Sequence, residues 1–551
     1  MLDGCVPWPE ELAASYRAAG LWEGVTIFEM VARSAARAPD KTAVVFGARR
    51  VSYAELVATT ERLGAGFWSL GIRPTDRVVV QLPNGLDFVF VYLALTRIGA
   101  IPVMALRAHR HAEVAHFIHA SGAVGYVIAD VVSRFDYRDM AAEMQARFPA
   151  LRHVIVAGEP GPGQVALGPL LEPRGARDGA APTARDEPAL PRPDPGEVAT
   201  MLLSGGTTSM SKLIPRTHDD YVLNARLCAQ AAGFGPATVL LAILPLGHNY
   251  NLASPGLLGA FHAGGSVVIA AETGTDHVFE LVQRERVTVI AAVVPLVSNW
   301  LHAGVQQRYD LSSLEVVQNG GARLPPELRA RLRSEFGCIP QEVYGTAEGL
   351  INMTRRDDAE EELLNSSGAP VSDFDEIKVV DDADREVPDG EAGELVTRGP
   401  YTIRGYYQAP AKNAEAFLPG GWYRMGDIVR RRGRYVYAEG RRKDLINRGG
   451  EKINCDEIES LLIAHPKVRL VALVAMPDPV FGEKACACVV PQPGETPTLA
   501  ELVAFLREQR IASFKLPERL ELMNEFPLSP VGKILKRQLR EAIEARLGPA
   551  P

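Results

Sequence analysis

The 551-residue chain is poor in the features that tie a protein to metal clusters, secretion, membranes or nucleic acids. Its six cysteines, Cys5, Cys228, Cys338, Cys455, Cys486 and Cys488, have no paired metal-ligand spacing. Cys486 and Cys488 would share one face of a strand and read as core residues. The opening Met1-Leu2-Asp3-Gly4 lacks a basic segment followed by an apolar one, so no secretory leader is expected. An apolar stretch over residues 256–271 is broken by His262 and several glycines, and reads as helix, turn and strand rather than a membrane span. Lys and Arg total 59 against 67 Asp and Glu, a net charge of -8, which argues against a general nucleic-acid-binding or anionic-membrane surface. No internal repeat is present. These absences leave a cytoplasmic, reduced enzyme with no nucleic-acid and no membrane partner as the expectation.

What remains is ordinary globular material, 47% hydrophobic and 23% charged. The length exceeds what one hydrophobic core supports, so at least two domains are expected. Strand and helix patterns alternate through residues 28–128, and strands such as 77–82 are continuous apolar runs, which predicts a parallel sheet covered on both faces. A Pro-, Gly- and Arg-rich connection over 158–197 precedes a second α/β run, with strands at 239–244, 266–270, 288–294 and 314–318. Beyond Ser366 the segments 376–381, 393–398 and the tyrosine-rich 401–407 read as shorter, mostly antiparallel strands. Residues 430–443 hold seven Arg or Lys and read as a solvated hinge, part of which meets phosphate. After Asp444 comes a compact α+β unit of about a hundred residues, a normal size for a separate domain.

The richest local chemistry follows the apolar run 199–203, in Ser204-Gly205-Gly206-Thr207-Thr208-Ser209-Met210-Ser211-Lys212. Two glycines permit close backbone approach, five hydroxyls donate, and Lys212 adds a point charge, an inventory that suits a polyphosphate and equally a polar surface turn. A Walker A loop is excluded, because Ser211 and Leu213 flank the lysine. Asn319-Gly320-Gly321-Ala322 follows a predicted strand, where ligands approach backbone in open α/β sheets. A short predicted strand runs into a glycine turn, Tyr344-Gly345-Thr346-Ala347-Glu348, in which an aromatic could stack on a base, a hydroxyl could bind phosphate oxygen and a carboxylate could hold magnesium. Asp427 suits two ribose hydroxyls or a turn cap. Arg441, Lys443, Arg448 and Lys452 surround Gly449-Gly450, and Lys533 follows a glycine in a distal loop.

In this order the motifs resemble the adenylate-forming superfamily, which includes acyl-CoA synthetases, luciferases and the adenylation domains of peptide synthetases. The likeness runs from Trp8 to about Leu547. Pro215-Arg216-Thr217-His218-Asp219-Asp220-Tyr221, His248-Asn249-Tyr250, Ile446-Asn447-Arg448-Gly449-Gly450-Glu451-Lys452 and Trp8-Pro9-Glu10-Glu11 resemble its stand-alone aryl-acid adenylating branch, which serves siderophore and nonribosomal peptide biosynthesis. The resemblance implies a large N-terminal domain, 1–440, of parallel and mixed sheets flanked by helices with a β-barrel-like part. It also implies a small mobile α+β domain, 441–551, that turns about Lys443. The implied reaction joins an aryl acid to ATP as aryl-AMP with magnesium, then passes the acyl group to a phosphopantetheinylated carrier protein or to CoA. By motif match, Ser204, Gly205, Gly206, Thr207, Thr208 and Lys212 hold the β- and γ-phosphates. Gly321, Val343, Tyr344 and Ala347 line the adenine and aryl pockets, Asp427 and Arg441 hold the ribose, and Glu348 binds magnesium. Lys533, His248 and Thr346 are the implied catalytic residues.

The resemblance places the acid against Asn249, Tyr250, Ser254, Gly320 and Val343. Asn249 would meet a ring 2-hydroxyl and Ser254 a 3-hydroxyl, favouring 2,3-dihydroxybenzoate over salicylate. Asn251 and Ala253 depart from the subgroup's usual proline and serine, Thr346 from its methionine, Met425 from its threonine, and Ser209 from a glycine. Asn251 either brings an amide to the pocket, which would suit 3-hydroxyanthranilate or 3-hydroxypicolinate, or is a polar turn residue pointing elsewhere.

Overall fold

The computed structural model describes residues 1–172, 190–204, 211–441, 444–449, 451–509, 511–530 and 532–547. Two large sheets carry most of the chain. In the nine-stranded sheet the order is Ala369–Pro370, Gly349–Met353, Ile339–Thr346, Val316–Gly320, Val289–Ala292, Val239–Ala242, Ser266–Ile269, Thr42–Phe46 and Arg49–Ser52. Its interior strands run parallel, and antiparallel partners close both edges. The seven-stranded sheet is ordered Leu213–Thr217, Val198–Leu203, Ile101–Met104, Arg77–Gln81, Gly125–Ala129, His153–Ala157 and Val165–Ala166. Only its hairpin Val198–Leu203/Leu213–Thr217 is antiparallel.

The apolar strand runs have the predicted cause. Alternate residues of one strand enter different cores, because successive side chains face opposite ways. Val78, Val80, Leu240, Val267 and Val316 join one core between the two sheets, with helices Ile27–Arg37, Tyr53–Ser69, Leu86–Arg97 and Gly256–His262. Val79, Ile101 and Tyr126 face out beneath helices His111–Ser121 and Tyr137–Arg147. Leu241, Val268, Ile290 and Val317 face out beneath Thr275–Glu285 and Val294–Ala303. Helix His218–Ala231, buried along its first two turns, starts at Thr217, whose hydroxyl and the Asp220 carboxylate form a reciprocal capping box. Such a cap stabilises a helix start by about 1 kcal/mol.

A third sheet is antiparallel: Glu376–Val380, Ala392–Arg398, Trp422–Arg432 and Phe417–Leu418, with Tyr435–Arg441 on the far side of Trp422–Arg432. The C-terminal unit has Glu451–Ile453, Ile446–Arg448, Gly482–Pro491 and Val468–Asp478, with Arg519–Leu522 parallel to Gly482–Pro491, under helices Cys455–Leu462, Leu499–Glu508 and Lys536–Leu547. This is the expected α/β class with its smaller C-terminal α/β domain. Cys486 and Cys488 are both buried in Gly482–Pro491. No helix among the described residues is long and apolar enough to cross a membrane.

Three local expectations are corrected. Residues 401–407 form turns, not a strand, because the Asn413 side chain takes both backbone groups of Tyr406 that a ladder would have used. Residues 430–434 are not a hinge but the tip of the hairpin Trp422–Arg432/Tyr435–Arg441. Their charges are absorbed locally: Arg430 pairs with Glu439, and Arg431 lies 3.2 Å from Asp389 and 3.5 Å from Glu386. Tyr344 and Gly345 stand within strand Ile339–Thr346, so the turn begins after Thr346.

Candidate active site

The carboxyl ends of the parallel strands, the turn after Thr346 and one loop of the C-terminal domain converge on a single cleft. On its first side is the hairpin Val198–Leu203/Leu213–Thr217. The neck of its loop is closed by Ser204 N donating to Lys212 O at 3.0 Å and Lys212 N donating to Ser204 Oγ at 2.9 Å. Gly205, Gly206, Thr207 and Thr208 lie outside the described residues. The Lys212 ammonium sits 4.3 Å from the centroid of the Tyr406 ring, and the Tyr406 hydroxyl donates to Glu348 Oε1 at 2.9 Å. Thr346 Oγ1 donates to Gly349 O at 3.0 Å, which holds the hydroxyl in the turn.

That turn is pinned from beneath by Arg216. Its guanidinium donates to Ala347 O at 2.9 Å and Tyr401 O at 3.1 Å, and its Nε to Asp220 Oδ1 at 2.7 Å. Both charged side chains are essentially inaccessible, at 0% and 1%. Bidentate and fork-like donation of this kind is what a guanidinium offers and an ammonium does not.

On the second side Tyr344 donates to Asp427 Oδ2 at 2.7 Å while Arg441 Nε meets Asp427 Oδ1 at 2.6 Å. Burial raises the Asp427 carboxyl above its ordinary range, and Arg441 pulls it back. Strand Val316–Gly320 ends here in Gly321, whose φ of +88° an L side chain rarely adopts. The strand end is anchored by a buried ion pair, Arg329 with Glu342 at 3.0 Å, and by Asn319 donating to Glu342 at 3.1 Å and to Ala322 O at 2.7 Å.

The third side is the short helix Asn249–Ala253. The Tyr221 hydroxyl donates to Asn249 Oδ1 at 2.9 Å, and Asn249 Nδ2 donates to Ser254 Oγ at 3.2 Å. Asn224 Nδ2 donates to Ala253 O at 2.7 Å and reaches Ser254 Oγ at 3.4 Å. The Tyr250 ring lies against Gly320, and Val343 is buried at 5% exposure one residue before Tyr344. Asn251 is fully buried: Nδ2 donates to Leu244 O at 2.5 Å, and Oδ1 has no protein partner among the described residues.

Lys533 enters across the top. Ser529 N donates to Lys533 O at 2.7 Å and Lys533 N donates to Ser529 Oγ at 3.0 Å, so a tight loop presents the side chain. Its Cε rests on Gly321. Burial, then the neighbouring Arg441 charge, lower the ammonium to about 8, against upward pulls from Asp427 and Glu348. His248 is lowered to about 3 by its enclosure and by Lys533, so the imidazole is neutral, with Nδ1 accepting from Tyr250 N at 3.3 Å.

These contacts link Ser204 and Lys212 through Tyr406 to Glu348, Tyr344 through Asp427 to Arg441, Gly321 to Lys533 and Lys533 to His248. Gly320 lies against Tyr250, Asn249 is bonded to Ser254, and Val343, Thr346 and Ala347 stand in the same strand and the turn after it. Lys443 lies outside the described residues. Glu348 suits magnesium: it is 7% exposed and has a carboxylate oxygen left over after bonding Tyr406. No group of three or more His, Cys, Asp or Glu that could hold a metal occurs among the described residues. A lone carboxylate beside phosphate-binding groups fits an ion that keeps mostly phosphate and water ligands. Sequence reasoning assigned no role to Arg216, Tyr221, Asn224 or Tyr406. The signal for the first was present, since Arg216 and Asp220 are spaced i, i+4.

Two family models match the chain, an AMP-binding enzyme over residues 31–407 and an AMP-binding enzyme C-terminal domain over residues 457–533. The chain is 47% identical over 549 residues to a 2,3-dihydroxybenzoate-AMP ligase of Bacillus subtilis, covering 99% of each. It is 43% identical over 555 residues to a salicyl-AMP ligase / salicyl-S-ArCP synthetase of Mycobacterium tuberculosis, covering 100% of this chain and 96% of that one. Among solved structures, apo MbtA of Mycobacterium smegmatis superposes with a TM-score of 0.74 at 40% identity, covering 98% of both chains.

Proposed function

The chain belongs to the AMP-binding enzyme family, and from this we propose that it activates an aryl carboxylic acid with ATP, releases pyrophosphate, and delivers the acyl group to the phosphopantetheine thiol of a carrier protein. The observation that carries the proposal is the position of Lys533. It lies on Gly321, close enough to His248 on the acid side and to Asp427 and Arg441 on the nucleotide side to shift or be shifted by each.

In the first step a carboxylate oxygen attacks the α-phosphorus and the bond to pyrophosphate breaks. Two anions must meet, so Lys533 bridges the carboxylate and the α-phosphate, and the Thr346 hydroxyl, turning from Gly349 O, donates to the same phosphate. Lys212 and the loop from Ser204 hold the departing pyrophosphate, while Asp427, with Arg441, holds the ribose hydroxyls. Glu348 would hold magnesium, which supplies positive charge to the phosphates when bound. In the second step the thiol attacks the acyl carbon and AMP leaves. We assign residues 1–440 to the large domain and 441–551 to a small one that turns about Lys443 between the steps and withdraws Lys533.

For the acid we propose 2,3-dihydroxybenzoate, with Asn249 and Ser254 at the two ring hydroxyls. The activity of the Bacillus relative supports this, and that of the mycobacterial relative supports a carrier-protein acceptor. A second reading, a ring bearing an amino group as in 3-hydroxyanthranilate, is favoured by the unpartnered buried Asn251 Oδ1. Acid-dependent ATP–pyrophosphate exchange across 2,3-dihydroxybenzoate, salicylate, 3-hydroxyanthranilate, 3-hydroxypicolinate and benzoate tests both. If 2,3-dihydroxybenzoate is not among the best substrates, this account of the pocket is wrong. Thioester formation with a holo-carrier protein against free CoA decides the acceptor.

A further inference from the structure

Tyr406 is a residue the proposed reaction does not yet use. It lies in the tyrosine-rich segment that departs from strand geometry, and its side chain is 1% exposed. Asn413 fixes its backbone from both ends: Tyr406 N donates to Asn413 Oδ1 at 2.7 Å, and Asn413 Nδ2 donates to Tyr406 O at 3.0 Å. Phe417 meets the ring edge-on at 5.7 Å. A buried tyrosine needs a partner for its hydroxyl, and here that partner is Glu348 Oε1 at 2.9 Å, with Tyr423 Oη at 3.4 Å beyond. The face of the same ring carries the Lys212 ammonium at 4.3 Å.

We propose that Tyr406 is a positioning residue that sets both groups at once, the Glu348 carboxylate for the magnesium of the ATP complex and the Lys212 ammonium for its phosphates. The inference rests on the roles proposed above for those two side chains. The hydroxyl occupies one carboxylate oxygen and fixes its plane, leaving the other for the metal, in the way an outer-shell donor orients a ligand. A ring face attracts an ammonium without consuming its N–H groups, so Lys212 is held in place with its donors free. A phenylalanine could do only the second and an aliphatic side chain neither.

The test is ATP binding by equilibrium dialysis, with magnesium titrated and separately in EDTA, on the full chain and on Tyr406→Phe, Tyr406→Leu and Glu348→Gln. Tyr406→Phe should raise the magnesium needed for half-maximal enhancement of ATP binding about tenfold, the lower range for loss of an outer-shell partner. Its affinity for ATP in EDTA should stay unchanged. Tyr406→Leu should in addition weaken ATP binding in EDTA about threefold, through Lys212. If Glu348→Gln shifts the magnesium curve and Tyr406→Phe does not, the inference falls and the role of Glu348 stands. If neither shifts it, the metal role of Glu348 falls and the inference with it. A Tyr406→Phe protein whose ATP affinity falls equally in EDTA and in saturating magnesium would show a merely structural residue and overturn the proposal.

Discussion

The Cε of Lys533 lies 2.8 Å from the point where a Cβ on Gly321 would stand. A lysine of the C-terminal domain therefore occupies space that only glycine leaves open at the end of a central strand. Gly321→Ala should obstruct the lysine and strain a backbone whose φ is +88°. We expect stability to drop by about 1–2 kcal/mol, the cost of a left-handed L residue. Adenylate formation should fall far more than transfer from supplied aryl-AMP, because the clash exists only while Lys533 is inserted. Lys533→Ala should show the same split without the stability loss, with the first step down roughly 10²–10³-fold, by analogy with a lost oxyanion donor. Equal loss of both steps would sink the domain-rotation account.

The Lys533 ammonium, held near 8, sets a pH limit. Above that value the free enzyme loses the proton, so kcat/KM for adenylation should decline about tenfold per pH unit. Stability should move the other way. Between pH 8 and the ordinary lysine value of 10.5 the unfolded chain binds more protons at this position, so the native state gains stability as pH rises. The difference in slope of thermal midpoint against pH, full chain minus Lys533→Met, isolates that contribution and should be positive from pH 8 to 10.

Arg216 ties Asp220 to the carbonyls of Ala347 and Tyr401 in a fully buried arrangement. Removing one partner of a buried ion pair costs about 3–5 kcal/mol. Arg216→Met should therefore lose about that much in denaturant melts. Arg216→Lys should recover part of the stability and little of the activity, since a lysine cannot serve the three acceptors in one plane.

Ser254 Oγ already receives N–H groups from Asn249 and Asn224, at 3.2 Å and 3.4 Å, and its own proton, within reach of the Cys228 sulfur, is what it has to offer a ring hydroxyl. Ser254→Ala should shrink the preference for 2,3-dihydroxybenzoate over salicylate in kcat/KM at least tenfold, about one hydrogen bond's worth. An unchanged ratio would remove Ser254 from substrate selection.

Continuous apolar strands announced two covered sheets, because burial on both faces leaves no polar alternation to read. The cleft residues were legible through their order along the chain rather than through local chemistry, since a Gly-Gly turn or a lone Gly-Lys is common loop material. What escaped is instructive. The turns at 401–407 look like a strand by composition, and only the distant Asn413 makes them otherwise. The arginine run at 430–434 looks like a hinge until it is seen at a hairpin tip, with Arg430 paired to Glu439 and Arg431 to Asp389 and Glu386. Arg216 left one local mark, Asp220 four residues on, but its bonds to Ala347 and Tyr401, like those of Asn224 to Ala253 and of Tyr406 to Glu348, pair residues far apart in sequence.

The protein as a whole carries a charge of -8, yet Lys212, Arg441 and Lys533 gather around Asp427 and Glu348. A surface that repels polyanions thus has one entrance that attracts them. Capture of ATP should accordingly be a steered encounter, quick at low ionic strength and slowed as salt shortens the reach of the field. Pyrophosphate, drawn by the same imbalance, would leave most readily once the activated acid has taken its share of the positive charge.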